Sequence, residues 1–102
     1  MKEREFTDMV IDLAKLCRWR VVHFRPARLM RHGQESWGTA IQGDKGFPDL
    51  VVARGGVVLH CELKTETGKL GEGQPEWAKE IGTSYRLWRP RDWDTIVKEL
   101  SK

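Results

Sequence analysis

Three charged residues interrupt two otherwise apolar runs in the stretch GFPDLVVARGGVVLHCELKTETGK. Asp49 opens the first run, and Glu62 and Lys64 lie within the second. Carboxylate oxygens bind hard divalent cations, commonly together with water and phosphate. A lysine next to such a cation holds or activates the attacking water, or neutralises charge in the transition state. These residue types are therefore suited to holding a cation and a reactive water beside a phosphate group.

Strand alternation decides which of these side chains share a face of the predicted sheet. Glu62 and Lys64 project together with His60, on the side away from the core, while the other face of the run is apolar. The Gly55-Gly56 turn makes the two runs neighbours, so Asp49 comes close to Glu62 if the register allows. Two carboxylates so placed repel one another unless a cation lies between them. The alternative is a solvated hairpin with an ordinary Glu–Lys pair, and His60 is interpreted as a partly buried spacer.

The same residues resemble a nuclease signature. Pro48-Asp49, followed by Glu62-Leu63-Lys64, is similar to the PD-(D/E)xK motif. The wider frame resembles the VRR-NUC family (virus-type replication-repair nucleases) of that superfamily, over nearly the whole chain outside 25–46. The matching stretches are GFPDLVVARGG, ELKTETGKL, Gln74 with Trp77, and YRLWRPRDWDTI. The resemblance implies a restriction-endonuclease-like core, dependence on Mg²⁺ or Mn²⁺, and endonuclease hydrolysis of DNA phosphodiester bonds.

The resemblance also implies partners and residue roles. Stand-alone members are small, often phage-encoded homodimers that act on branched DNA such as Holliday junctions, in replication or repair. Asp49 and Glu62 become metal ligands together with the main-chain carbonyl of Leu63, and Lys64 becomes the catalytic lysine. Gln74 corresponds to a helix glutamine that supports the active site.

The resemblance further implies an acidic residue on the first helix, and Glu3 and Glu5 compete for this position. At 100° per residue, Glu3 lies about 60° from the centre of the apolar stripe and Glu5 about 100° away. Glu3 leans more toward the sheet and is the predicted catalytic and metal-binding acid. The alternative is that Glu3 only interacts favourably with the helix dipole.

The elements that must position these residues form one domain, 1–102, of the α/β class. The order αβββαβα predicts a mixed sheet flanked by helices. Apolar periodicity, turn glycines and prolines set the boundaries. The predicted elements are a helix over 3–17, strands over 18–24, 49–53 and 57–65, a helix over 75–82, a strand over 84–88, and a last helix introduced by Pro90 and Asp92.

Residues 25–46 show no apolar period and are predicted to form a long loop, a feature that is usually functional or disordered. Its basic side chains are expected to contact phosphates, and its tryptophan to stack on a base. The alternative is a solvated loop. The predicted DNA-binding residues are Arg25, Arg28, Arg31, Lys45 and Trp37.

Composition narrows the classes of protein that remain. The chain has 102 residues, of which 39% are hydrophobic and 32% charged, which is typical of a soluble globular protein. Its net charge of +3 permits nucleic-acid binding without requiring it. The two cysteines form neither a disulfide framework nor a zinc quartet and suit a reducing cytosol, bacterial or of a phage-infected host. The N-terminal MKEREF lacks an apolar signal region, and no run approaches a membrane span.

These observations favour a metal-dependent, structure-selective DNA endonuclease. The alternative from a different class is a non-catalytic DNA-binding module of the same fold within a replication or repair complex. Both acids and the lysine are present, which favours the enzyme.

Overall fold

Three helices and six strands form the described part of the chain. The structure, a computed structural model, describes residues 1–25, 27–31, 33–38 and 41–102, with the backbone alone for 27–31 and 34–38. No helix in these ranges is long and apolar enough to cross a membrane. In chain order the elements are α1 (Glu3–Leu16), β1 (Arg20–His23), β2 (Ala27–Arg31), β3 (Gln34–Gly38), β4 (Leu50–Arg54), β5 (Val57–Leu63), α2 (Gln74–Ile81), β6 (Tyr85–Trp88) and α3 (Trp93–Ser101).

The main sheet has four strands in the order β1-β4-β5-β6. The pairs β1–β4 and β4–β5 are antiparallel, and β5–β6 is parallel because α2 connects those two strands. The predicted α/β class, with a mixed sheet and three helices, is therefore confirmed. The Gly55-Gly56 hairpin joins β4 to β5, with both glycines at positive φ as the turn requires.

The core lies on the face of this sheet that meets α1 and α3. Apolar residues at helical spacing on α1 and at alternate positions on β4 and β5 enter one continuous cluster. Each large side chain buried there contributes about 1.5–3 kcal/mol to folding. The buried cluster comprises Phe6, Val10, Ala14, Trp19, Leu50, Val52, Leu59, Cys61, Leu63, Trp88, Ile96 and Leu100.

Arg54 connects the end of β4 to the C-terminal ends of α1 and α3. Its guanidinium donates to the main-chain carbonyls of Cys17 at 2.7 Å and Leu100 at 3.2 Å, and to that of Lys102. The group also lies 4.6 Å from the ring centre of Trp19. Helix C-termini carry partial negative charge and unpaired carbonyls, so one cation stabilises both ends.

The prediction of a long loop without regular structure over 25–46 was wrong. β2 and β3 pair antiparallel, from Ala27 opposite Gly38 to Arg31 opposite Gln34, and Gly33 has a φ of 76°. The two strands form a sheet of their own. A strand that does not join the main sheet is not required to show the apolar alternation of a half-buried strand, so periodicity gave no signal. The predicted order αβββαβα accordingly gains two strands between the first and second.

Candidate metal centre

The β4–β5 pairing brings Asp49 and Glu62 together. Leu50 pairs with Cys61 at the start of β4, and one further step along the ladder sets Asp49 opposite Glu62. The main chain of Asp49 is held on its other side by Phe24, whose N–H donates to the Asp49 carbonyl at 2.7 Å. The register therefore places Asp49 next to Glu62, which strand alternation alone did not determine. Asp49 and Glu62 are called the carboxylate pair below.

Both members of the carboxylate pair are shielded from water. Glu62 is only 3% exposed, and Oδ1 of Asp49 is buried with no hydrogen-bond partner among the described residues. Glu62 alternates with the buried Cys61 and Leu63, so its strand position fits the prediction. Phe47, which precedes β4, packs against His60 on this same face of β5, so protein also packs on the face opposite the core.

Burial raises the pKa of both carboxyl groups. The pKa of Glu62 rises to about 7, chiefly because burial disfavours the charged form and then because Asp49 is close. Burial is also the main cause that raises the pKa of Asp49, with a smaller rise from the charge of Glu3. His23 and Lys64 act in the opposite direction on Asp49. The site is therefore costly to ionise in the metal-free chain.

Lys64 supplies positive charge next to the pair. Its Nζ lies 3.6 Å from Oε2 of Glu62, and most of its side chain is buried. The main-chain N–H of Lys64 donates to the carbonyl of Trp88 at 3.1 Å, which extends the β5–β6 ladder by one residue and holds Lys64 at the edge of the site. One ammonium group faces two carboxylates, which leaves one negative charge unbalanced when both are ionised.

The residues present fit a divalent cation. A buried carboxylate oxygen without a donor, next to a second buried carboxyl, is a set of hard oxygen ligands that suits Mg²⁺ or Mn²⁺. Leu63 directly follows Glu62 in the chain, and its main-chain carbonyl is the further ligand that the resemblance implies. Within the part of the chain that the structure describes, no group of three His, Cys, Asp or Glu side chains could hold an ion. Water or phosphate oxygens would therefore complete the coordination, as is usual for Mg²⁺.

A groove between α1 and the sheet opens beside Asp49, and we call it the α1 groove. Its volume is about 480 Å³, and its lining comprises Glu3, Arg4, Thr7, Asp8, His23, Arg25 and Asp49. The exposed Glu3 belongs to this lining, while Glu5 is exposed on α1 outside it. The structure therefore brings Glu3, rather than Glu5, to the side of the carboxylate pair.

A second groove, called the aromatic groove, lies on the other side of Asp49. Its volume is about 510 Å³. The Phe47 ring meets those of Phe24, His60 and Trp77 edge to face, at centroid distances of 6.0, 5.9 and 5.0 Å. The complete lining is Phe24, Ile41, Gln42, Gly43, Asp44, Gly46, Phe47, Asp49 and Trp77. Trp77 lies half-buried in this groove.

Two glycines hold the segment before Asp49 against the start of α2. Gly46 and Gly73 have φ values of 98° and 80°. A Cβ at Gly46 would overlap the main chain of Gly73, and one at Gly73 would overlap the carbonyl of Lys45. Only glycine allows both the left-handed backbone and this close approach. The contact fixes the chain three residues before Asp49.

Gln74 lies at the first position of α2, half-buried. Its Oε1 accepts a hydrogen bond from the N–H of Gly71 at 2.6 Å. The structure therefore engages this oxygen in the loop that precedes α2 and not with the carboxylate pair.

The remaining predicted residues fall into two groups. Arg25 and Lys45 are exposed, Arg25 in the α1 groove. The side chains of Arg28, Arg31 and Trp37 lie outside the described residues.

His60 is half-buried, in agreement with its interpretation as a partly buried spacer. Its Nδ1 lies 3.1 Å from Oγ of Ser84, and its ring packs against Phe47.

Tyr85 belongs to the site, although sequence reasoning did not assign it there. Its hydroxyl is buried without a partner among the described residues. Its pKa is raised to about 12 by burial first and then by the charges of Glu62 and Asp49. Tyr85 pairs with His60 across β5–β6, and strand alternation then sets it on the face of Glu62. The alternation of side chains along YRLW is the sequence signal that could have placed Tyr85 on this face.

Comparisons with known proteins give no relative for this chain. No protein-family model matches it, and neither characterised proteins nor solved structures yield a match.

Proposed function

We propose that this chain is a divalent-metal-dependent DNA endonuclease. The observation that carries the proposal is the carboxylate pair: Glu62 is buried, Asp49 is half-buried with its Oδ1 shielded, and Lys64 Nζ lies 3.6 Å from Glu62. Simple structural carboxylates are normally exposed or fully paired, because an unpaired buried charge is costly. A site that retains two such groups and one lysine suits hydrolysis of a phosphodiester.

Each residue has a distinct part in the proposed reaction. Asp49 and Glu62 would hold the cation, with the Leu63 carbonyl beside them, and Glu3 would add negative charge from the lining of the α1 groove. Mg²⁺ or Mn²⁺ held there would polarise the phosphate and lower the pKa of a water. Glu62 must lose its proton before it can act as a ligand, so its raised pKa couples metal binding to pH. Lys64 stabilises the negative charge that develops on the phosphate oxygens.

The sequence motif supports the same proposal. The PD…ExK residues and the frame around them resemble the VRR-NUC family, and a restriction-endonuclease-like core belongs to the proposal on that ground. The order of α1 followed by a mixed sheet is compatible with it. Branched DNA such as a Holliday junction is the proposed substrate, in replication or repair. The basic residues Arg25 and Lys45 are exposed and available for phosphate contacts.

A cleavage assay on a panel of labelled DNAs tests the proposal. Single strands, duplex, flaps and four-way junctions are incubated with wild type, Asp49→Asn or Asp12→Asn, in Mg²⁺, Mn²⁺ or EDTA. Asp12 is an exposed α1 carboxylate and is the matched control. We expect cleavage by wild type and Asp12→Asn with metal, and none by Asp49→Asn or in EDTA.

Equal cleavage by Asp49→Asn would contradict the proposal. Binding of DNA by wild type without cleavage under every metal condition would instead favour a non-catalytic DNA-binding module of the same fold.

A homodimer is part of the proposal, because a two-fold enzyme presents two sites to the two strands of a junction. Light scattering at micromolar concentration should then give twice the 11.8 kDa chain mass. A monomer with and without DNA would exclude it.

A further inference from the structure

The aromatic groove exposes ring surface next to the carboxylate pair. Phe24 is 39% exposed and Phe47 37% exposed, although both rings take part in one edge-to-face cluster. Asp49 lines this groove and the α1 groove alike. An apolar cleft therefore opens directly from the proposed metal site.

The chemistry of the groove favours a neutral, flat occupant. Asp44 adds negative charge to its lining, so a phosphate placed there would be less favourable than a neutral group. The rings of Phe24, Phe47 and Trp77 offer surfaces for stacking. Gln42 lines the same groove and offers an amide donor and acceptor at its rim.

The dimensions agree with a small ligand rather than a flat protein interface. A groove of about 510 Å³ lies within the range of small-molecule sites, which are concave and mostly apolar with a few polar groups. The Trp77 Nε1 donates to the carbonyl of Asp44 at 3.2 Å, and the Gly46–Gly73 contact ties the same segment to α2. The groove is thus held open by contacts within the chain.

We propose that the aromatic groove binds an unpaired nucleobase of the DNA strand whose phosphate lies at the carboxylate pair. The inference rests on the proposed endonuclease function and specifies its substrate class. A base in a stacked duplex cannot enter the groove unless it is unpaired and unstacked, which costs a few kcal/mol. Single strands, flaps and frayed branch points present such bases without that cost. The substrate therefore has unpaired nucleotides next to the scissile bond.

Fluorescence anisotropy in EDTA at fixed low salt tests the groove without any cleavage step. The probes are a labelled thymidine oligonucleotide and an abasic oligonucleotide of the same length, which carries the same phosphates without bases. The variants are Phe24→Leu, which keeps apolar bulk but loses the ring, and Phe24→Tyr, which keeps the ring. Leu16→Ala is the control, since Leu16 is an exposed apolar residue on α1.

We expect Phe24→Leu to bind the thymidine oligonucleotide about tenfold or more weakly, as loss of one stacking surface predicts. Its affinity for the abasic oligonucleotide should match wild type. Phe24→Tyr and Leu16→Ala should bind both probes like wild type. Circular dichroism confirms that each variant is folded.

Equal affinities of wild type and Phe24→Leu for the thymidine probe overturn the inference, as does an equal loss on both probes. A Phe24→Leu variant that halves the molecular mass in sedimentation also overturns it, because a second copy of the chain then covers the groove. Cleavage without base-dependent binding leaves the endonuclease and removes the groove assignment. Base-dependent binding without cleavage under any metal condition supports the groove assignment and removes the endonuclease.

Discussion

The ammonium nitrogen of Lys64 lies 3.6 Å from Oε2 of Glu62, yet the pKa of Glu62 is raised to about 7. Burial is the larger influence, and the nearby Asp49 adds to it. One lysine therefore does not offset two shielded carboxyls. Ionising both in the absence of a further cation costs folding free energy, and this cost gives the site measurable properties.

The metal-free chain should lose stability as pH rises. Folded Glu62 binds its proton more tightly than unfolded Glu62, so the stabilising contribution is complete below the ordinary pKa of 4.5 and is lost as pH rises through about 7. The expected loss between about pH 5 and pH 8 is on the order of 3 kcal/mol. Glu62→Gln should remove most of this slope and be more stable than wild type at about pH 8.

Urea unfolding in EDTA across that pH range measures the effect. Glu5→Gln, which changes an exposed α1 carboxylate, should keep the wild-type slope. Stability that rises from about pH 5 to pH 8 in wild type would show that the pKa of Glu62 is not raised.

Replacing Lys64 should impair cleavage more than binding. Lys64→Ala removes charge that acts on the transition state, so cleavage should fall by about 100-fold or more while Mn²⁺ binding and the fold persist. Lys69→Ala, an exposed lysine on the loop after β5, is the control. Cleavage by Lys64→Ala within about threefold of wild type, roughly 0.7 kcal/mol, would mean that Lys64 takes no part in the chemical step.

The Gly46–Gly73 contact should be essential for the site. Gly46→Ala forces a Cβ into the main chain at Gly73 and should destabilise the chain by more than about 2 kcal/mol, or displace the segment before Asp49. Gly43→Ala is a matched control, because Gly43 also has positive φ but nothing lies within 4 Å of an added Cβ. Thermal unfolding of both variants separates backbone strain from the clash. Equal losses would mean that the contact itself contributes nothing.

Arg54 should contribute strongly to stability. Arg54→Met leaves the carbonyls of Cys17 and Leu100 without this donor and should cost about 2–3 kcal/mol in the free energy of unfolding. Arg20→Met, at an exposed position of β1, should cost less than about 0.5 kcal/mol. Denaturant titration of both variants provides the comparison. A similar small loss in each would mean that the hydrogen bonds from Arg54 to the ends of α1 and α3 do not stabilise the fold.

The sequence predicted the parts of the fold that depend on short-range chemistry. The Gly55-Gly56 turn fixes how β4 and β5 meet, and alternation then assigns Glu62 and Lys64 to one face. Pro75 and Gly82 mark a helix over 75–82, and the structure has Gln74–Ile81. These signals depend on residues that are close together in sequence, so a single sequence is enough to predict them.

The features that escaped prediction depend on contacts between distant segments. Phe47 packs against His60 of β5, and Gly46 meets Gly73 across 27 positions of sequence. In the sequence, Arg54 is an ordinary charge at the end of a strand. Its role depends on the ends of α1 and α3, which meet it only in the folded chain. Among the described residues, β2 and β3 form a sheet separate from the main one, and strands outside the main sheet need not carry its core pattern.

Isothermal titration with Mn²⁺ at about pH 8 measures whether Asp49 and Glu62 together bind a divalent cation. Wild type and Asp12→Asn should bind Mn²⁺, and Asp49→Asn and Glu62→Gln should bind it at least about tenfold more weakly. Each titration should be run on protein shown to be folded. Mn²⁺ affinity unchanged in both carboxylate variants would contradict the metal site and the function proposed from it.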